Sequence, residues 1–370
     1  MRHVFVFIEV LGAEGGIQSY IQDVLSAYAS LPKAEADVFL LRDSQAAPNP
    51  LRHCRQLRFH YFKSTRPMLG RVRLTVALMS CLMRYRPEHV FCGHINLAVM
   101  VNRLCRWLKL PYTVLTYGKE VWDPLPPAEQ AALAAAERFW TISRYSRDLA
   151  CQANQIDPGQ ARLLPCVVDG RQFMPGTAPD ALVAQYSLKE SLVLMTVARL
   201  WSGDPYKGVD MTIRALPQIL QVFSNVKYLV IGRGDDQPRL AQLAEDLGVA
   251  ERVIFAGFVP TAALADHYRL ADVYVMPSRE GFGIVYLEAM ACGVPVISGD
   301  SDGSAEPLQD GRLGWQVSYR DADAIAQACI EALKGEDSRC QGDWLRQETL
   351  NRFSASALAA RLTELLSETD

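Results

Sequence analysis

Short apolar runs alternate with longer amphipathic stretches along most of this chain, and few folds accommodate that pattern. Strand-like runs stand at 4–10, 36–41, 89–92 and 112–117, with helical periodicity over 17–31, 72–86, 97–108, 133–139 and 146–153. A turn-rich interval follows, where Pro165, Gly170, Pro175, Gly176 and Pro179 interrupt any period. The alternation then resumes with strand-like runs at 192–198, 227–231, 253–256, 273–276, 295–298 and 314–317. Helical stretches at 209–223, 238–247, 262–269, 284–291 and 322–333 lie between and after them. Strands that alternate with helices make parallel sheets covered on both faces. The expected architecture is α/β, with two facing Rossmann-like domains and an interdomain cleft at the carboxyl ends of their strands. Residues 1–170 are expected to form the first domain, 171–190 a linker, 191–350 the second domain and 351–370 a C-terminal helix free to cross back to the first.

At 370 residues the chain is long enough for two such cores. Its 49% hydrophobic and 21% charged residues exclude a disordered chain. No apolar run reaches the ~18–20 residues of a membrane span, and the first apolar run lacks a signal-peptide cleavage site. The nine cysteines form no C-x-x-C pair, which suits a reducing, cytoplasmic compartment.

Charge is spread unevenly. Residues 50–110 hold twelve Lys and Arg against the single acid Glu88, a net +11, so the remainder carries −14 to give the chain its −3. Either this segment meets something anionic, such as a phospholipid surface or a lipid-linked phosphate, or it is a solvated basic face. Nucleic acid is not expected as a partner, because no recognisable module or interleaved aromatics accompany the charge.

The richest stretch runs from Met276 to Ile297. A strand ends at Met276, a glycine-bearing turn carries Glu280, Phe282 and Gly283, and a helix opens at Ile284 and Val285. Glu288 lies inside that helix between Leu287 and Ala289, where a free acid would be poorly solvated and needs a partner. A second group follows the strand at 192–198: Arg199, then Lys207 at the next helix start, two fixed cations able to neutralise a diphosphate without a metal. Gly15 and Gly16 follow the first strand, where bare backbone lets a phosphate or an acceptor approach closely. Phe258 and Val259 follow the strand at 253–256 on the same rim. Asp300-Ser301-Asp302 spells D-x-D, a metal-binding pattern elsewhere, but between Gly299 and Gly303 it reads as a polar turn. Gly232-x-Gly234 lacks the third glycine of a dinucleotide fingerprint, which argues against a dehydrogenase.

Glu280 and Glu288, eight apart within Glu-Gly-Phe-Gly and followed by Gly-Val-Pro-Val-Ile, resemble the E-x7-E motif of the family-4 retaining glycosyltransferases of GT-B fold. The resemblance covers most of the chain. It implies that Glu280, Phe282 and Gly283 meet the donor sugar, that Glu288 binds the nucleotide ribose and that Ile284 and Val285 lie beside the phosphates and ribose. It further implies that Arg199 and Lys207 hold the diphosphate, that Gly15 and Gly16 form the glycine loop, and that Phe258 and Val259 flank the base. Ala198 departs from the family's usual glycine, and the Arg199–Lys207 gap is longer than the common one. Tyr117 stands where many relatives carry a histidine near the sugar; Tyr117 and Glu120 are then sugar or acceptor contacts. His94 is either a structural histidine or a residue facing the cleft.

The resemblance implies a retaining, metal-independent hexosyltransferase with no cofactor beyond a GDP- or UDP-linked sugar, GDP-mannose being favoured. A saccharide or lipid-linked acceptor would fit a peripheral site on the cytoplasmic membrane face. The alternatives are a UDP-sugar-dependent enzyme with a soluble acceptor, or a nucleotide-sugar-binding protein without turnover.

Overall fold

The computed structural model describes residues 2–12, 15–203 and 207–368. The chain divides into two compact units: the residues up to Val167 together with those from Ala355 onward, and Val168–Ser354.

In the first unit, β1 (Arg2–Phe7), β2 (Glu35–Leu40), β3 (Leu57–Tyr61), β4 (His89–Cys92), β5 (Tyr112–Leu115), β6 (Arg138–Thr141) and β7 (Ala161–Leu163) make one parallel sheet in the order β3-β2-β1-β4-β5-β6-β7. The connecting helices are α1 (Gly16–Ala29), α2 (Pro67–Tyr85), α3 (Ile95–Leu108), α4 (Pro127–Ala134) and α5 (Arg144–Asn154). Every residue of β4 and of β5 is buried, as central strands covered on both faces must be.

The second unit opens with α6 (Asp180–Gln185). Its strands are β8 (Leu192–Val197), β9 (Val226–Ile231), β10 (Val253–Gly257), β11 (Val273–Met276), β12 (Val296–Gly299) and β13 (Trp315–Val317), parallel in the order β10-β9-β8-β11-β12-β13. Helices α7 (Val209–Val222), α8 (Gln237–Asp246), α9 (Thr261–Tyr268), α10 (Ile284–Ala291), α11 (Ala322–Lys334) and α12 (Gly342–Phe353) complete it. The final helix, α13 (Ala355–Ser367), belongs to the first unit and buries Leu358, Leu362, Leu365 and Leu366.

Strand order reverses between β1 and β4 in one sheet and between β8 and β11 in the other. In doubly wound sheets the loops leaving such a pair diverge and open a crevice. Those loops carry Gly15, His94, Arg199 and Glu280.

Besides the short helix α6 inside the expected linker, three elements differ from the sequence expectation. The helix expected over 133–139 is the end of α4 and the start of β6, because Phe139, Trp140 and Thr141 fit a buried strand better than a helix. Strand β3 reads Leu-Arg-Phe-His-Tyr and is only half buried at the sheet edge, so its apolar signal is diluted. Helix α12 buries only Leu345, Thr349 and Phe353, one residue per turn, too thin a stripe to show as amphipathic.

Candidate active site

The carboxyl rim of the second sheet is stitched by its own main chain. Ala198 N–H donates to Ile231 O at 2.9 Å, Leu200 N–H to Arg233 O at 3.1 Å, and Gly232 N–H to Gly257 O at 2.8 Å. Gly208, just before α7, has φ +75°, and a Cβ there would fall 2.3 Å from Pro277 O. Only glycine lets the loop carrying Lys207 lie this close to the loop carrying Glu280.

That approach brings Lys207 Nζ within 2.5 Å of Glu280 Oε1, both side chains largely buried. Arg199 is exposed at the end of β8 and lines the same small pocket as Lys207, together with Asp210, Asp236 and Arg239. The backbone N–H of Glu280 donates to Asp302 Oδ2 at 2.5 Å, while Asp302 Oδ1 accepts from Ser304 N–H at 2.8 Å and from the Ser304 hydroxyl. The second aspartate of the D-x-D thus organises the turn that holds Glu280. Its burial pushes the carboxyl up to about 6, against the pull of those hydrogen bonds.

Gly283 caps α10 with φ +92°, and no side chain caps the helix. Tyr286, one turn in, donates its hydroxyl to Met276 O at 2.7 Å and also bonds Ser278 Oγ at 2.9 Å, closing the loop across its base. Ile284 and Val285 are half-buried in the first turn. Glu288 is half-buried too, with Oε2 accepting from the Tyr268 hydroxyl at 2.7 Å. Its enclosure raises the carboxyl to about 7, only partly offset by that hydrogen bond. Tyr268 ends α9, and no motif in the sequence announces it. Phe282, expected to meet the sugar, is instead 1% exposed and packs edge-on to Phe353 at 5.9 Å. Only its main chain is left for a ligand. Phe258 is 52% exposed, with the Arg233 guanidinium 4.8 Å from its ring centroid; Val259 beside it is half-buried.

In the first unit, Gly15 and Gly16 are exposed at the start of α1; Glu14 lies outside the described residues. The preceding turn is held by Asp43, a fully buried carboxylate that accepts the backbone N–H groups of Val10, Leu11 and Gly12 at 2.7, 2.9 and 2.7 Å. Those three amides are therefore committed, and an anion at this loop would have to use the glycines beyond them. An acid directly after a strand on this rim was the one available signal for Asp43. His94 Nδ1 accepts Asn96 N–H at 3.1 Å and caps α3, so this nitrogen serves structure. Burial, with Arg42 nearby, lowers the His94 pKa. The Tyr117 side chain is buried, its hydroxyl donating to Gly93 O at 2.7 Å, so a sugar contact through that hydrogen would cost the bond tying β5 to β4. Glu120 accepts the Tyr117 N–H, and burial raises its carboxyl against the pull of loop amides.

An open groove of about 430 Å³ lies where β2 and β3 meet the start of α2. Arg42, Lys63 and Arg71 line it with Glu9, Ser64 and Met68. Among the described residues none of these three cations is ion-paired. Helix α2 buries only Gly70, Leu74, Leu78 and Leu82, leaving Met68, Leu69, Val72, Val76, Met83 and Tyr85 exposed among arginines. No helix among the described residues is long and apolar enough to cross a membrane.

Residues 191–335, the strands and loops that carry Arg199, Lys207, Glu280 and Glu288, match the family described as Glycosyl transferases group 1. The GDP-mannose-dependent alpha-(1-6)-phosphatidylinositol monomannoside mannosyltransferase of Mycolicibacterium smegmatis is 38% identical over 269 residues, 68% of this chain and 69% of that protein. The chain belongs to the group 1 glycosyltransferases, of the GT-B, family-4-like kind. Within this glycosyltransferase family, a second relative matches nearly end to end. It is the GDP-mannose-dependent monoacylated alpha-(1-6)-phosphatidylinositol monomannoside mannosyltransferase of Corynebacterium glutamicum, 28% identical over 367 residues, 95% of this chain and 94% of that one. Among solved structures, Anabaena Alr3699/HepE in complex with UDP shares the fold at TM-score 0.79 and 20% identity, covering 100% of each chain. The family match and these relatives support a hexosyltransferase rather than a dehydrogenase.

Proposed function

We propose that this glycosyltransferase moves mannose from GDP-mannose to a phosphatidylinositol mannoside or a closely similar lipid-linked saccharide, with retention of configuration and without a metal. The observation that carries the reading is the Lys207–Glu280 pair at the switch point of the second sheet, in a chain whose relatives use GDP-mannose. Glu280 grips sugar hydroxyls, Arg199 and Lys207 balance the diphosphate, and the amides of Gly283, Ile284 and Val285 face the phosphates and ribose. Glu288 accepts the ribose hydroxyls, and Phe258 and Val259 flank the base. In the first unit, Gly15 and Gly16 would admit close approach of a phosphate or acceptor.

In the reaction the acceptor oxygen forms its bond to the sugar's anomeric carbon on the face from which the diphosphate leaves. The bond from that carbon to the phosphate oxygen breaks, and the departing oxygen takes the acceptor's proton. The largest electrostatic demand is charge gathering on the leaving diphosphate, which the two cations and the helix-start amides meet. His94, Tyr117 and Glu120 shape the first unit's rim beside the acceptor.

The unpaired cations Arg42, Lys63 and Arg71 in an open groove, beside the exposed apolar and basic face of α2, support an acceptor that is anionic and membrane-borne. Attachment would be peripheral, on the cytoplasmic leaflet, through residues 50–110.

The deciding assay offers GDP-mannose, UDP-glucose and UDP-galactose in turn, with phosphatidylinositol mannoside in vesicles. Turnover is expected with GDP-mannose, giving an α-linked product by NMR. Turnover with a UDP-sugar alone would overturn the donor, and a β-linked product the retaining mechanism.

A further inference from the structure

Arg233 is an exposed cation with an unusual neighbour. Among the described residues it has no carboxylate partner; its guanidinium lies over the half-exposed Phe258 ring instead, 4.8 Å from the centroid. Its main chain is fixed, since Arg233 O accepts Leu200 N–H next to Arg199 and Gly232 N–H donates to Gly257 O next to Phe258. The pair therefore stands on the rim that carries the donor residues, at the ends of β9 and β10.

The order of strands gives this position meaning. The sheet runs β10-β9-β8-β11, with neighbouring strands about 4.8 Å apart. The sugar-gripping Glu280 follows β11 and the diphosphate cations Arg199 and Lys207 follow β8. Arg233 lies one strand farther out and Phe258 two, on the side where the resemblance assigns Phe258 to the base. The phosphate charge is already met at β8, so a further cation one strand beyond it is free for the base. A guanidinium fork matches the paired acceptors O6 and N7 of guanine, whereas uracil has no such pair. A cation resting on an aromatic face is held without having its N–H donors consumed.

We propose that Arg233 reads the O6/N7 edge of the guanine in the donor, and that Phe258, besides flanking the base, holds the guanidinium for this purpose. The proposal rests on the GDP-linked donor reading above and supplies the physical basis of its base selectivity.

The test is calorimetric titration of the full chain with GDP, IDP, 7-deaza-GDP and UDP. IDP keeps O6 and N7 but lacks the exocyclic amine; 7-deaza-GDP lacks N7. Wild type is expected to bind GDP and IDP alike and 7-deaza-GDP about tenfold more weakly, the size of one good edge contact. Arg233→Ala should lose about tenfold on GDP and IDP, less on 7-deaza-GDP and nothing on UDP. Phe258→Ala should erode the same selectivity, and Phe258→Trp should restore it. Equal losses on GDP and UDP would make Arg233 a phosphate cation and overturn the proposal. So would a wild type that binds IDP far more weakly than GDP together with a neutral Arg233→Ala. A wild type that prefers UDP would sink the donor reading itself. One that prefers GDP while Arg233→Ala changes nothing sinks only this inference.

Discussion

Lys207 and Glu280 stand 73 residues apart in the chain and share a charge-assisted hydrogen bond of 2.5 Å, with 17% and 16% of their side chains exposed. Before a donor arrives, the cation assigned to its diphosphate and the carboxylate assigned to its sugar hold each other in place.

Removing either partner therefore strips one proposed donor contact and leaves the other charge poorly compensated. Lys207→Ala and Glu280→Gln should each cost about 1–3 kcal/mol of stability in chemical denaturation, with the double variant costing less than the sum. Both should lower kcat at least about tenfold. Additive destabilisation would mean that the pair is not coupled in solution.

Glu288 and Asp302 give the second unit an unusual response to pH. Their folded carboxyls are raised to about 7 and about 6, so between roughly pH 4 and 7 the folded state binds more protons than the unfolded. Stability from these groups is full below that range and is lost as pH rises through it. Glu288→Gln keeps an acceptor for the Tyr268 hydroxyl but cannot ionise. Without ligand it should match wild type near pH 4 and melt several degrees higher near pH 8, at roughly 2–4 °C for each kcal/mol. Scanning calorimetry across the range checks this, and a parallel pair of curves would refute it.

Activity should survive exhaustive EDTA treatment, because Arg199 and Lys207 supply the countercharge and Asp302 is occupied by the Glu280 and Ser304 amides. Asp302→Ala should nonetheless lower activity by loosening the Glu280 loop, with no rescue by added Mn²⁺. Loss on chelation that Mn²⁺ or Mg²⁺ reverses would make Asp300 and Asp302 ligands.

The sequence carried the donor rim because its residues are tied to local events: a strand end, a glycine, a helix start. Arg199, Lys207 and Glu280 all stand at such junctions, with Glu288 about one turn into the helix that follows, and their loops meet because parallel strands end on one rim. What stayed hidden is tertiary. Tyr268 approaches Glu288, and Arg233 approaches Phe258, from separate loops or helices at no fixed spacing. Phe282 illustrates the opposite error: its motif suggests a ligand contact, but its ring is needed against Phe353, which lies on the weakly patterned α12. The tie from the Tyr117 hydroxyl to Gly93 O is likewise announced by no motif.

Binding to vesicles should depend on anionic lipid and fall with salt. Each basic residue at the surface contributes on the order of 1 kcal/mol, and screening weakens it as the Debye length shrinks to about 3 Å at 1 M salt. Reversing Lys63 and Arg71 to Glu should abolish sedimentation with phosphatidylinositol-containing vesicles while leaving GDP affinity unchanged. Equal recovery with neutral and anionic vesicles would remove the membrane reading and favour a soluble acceptor.

The placement of α13 with the first unit has a consequence for synthesis. When the ribosome has made the chain through Val167, all seven strands of the first sheet exist, but the leucines at 358, 362, 365 and 366 that complete its core do not. Val168–Ser354, by contrast, is one continuous segment and holds its whole core once Ser354 has emerged. The usual vectorial order is thereby inverted: the half of the protein made first is the last to finish folding. Until α13 has been made, a chaperone would find an unsealed apolar face on the N-terminal unit.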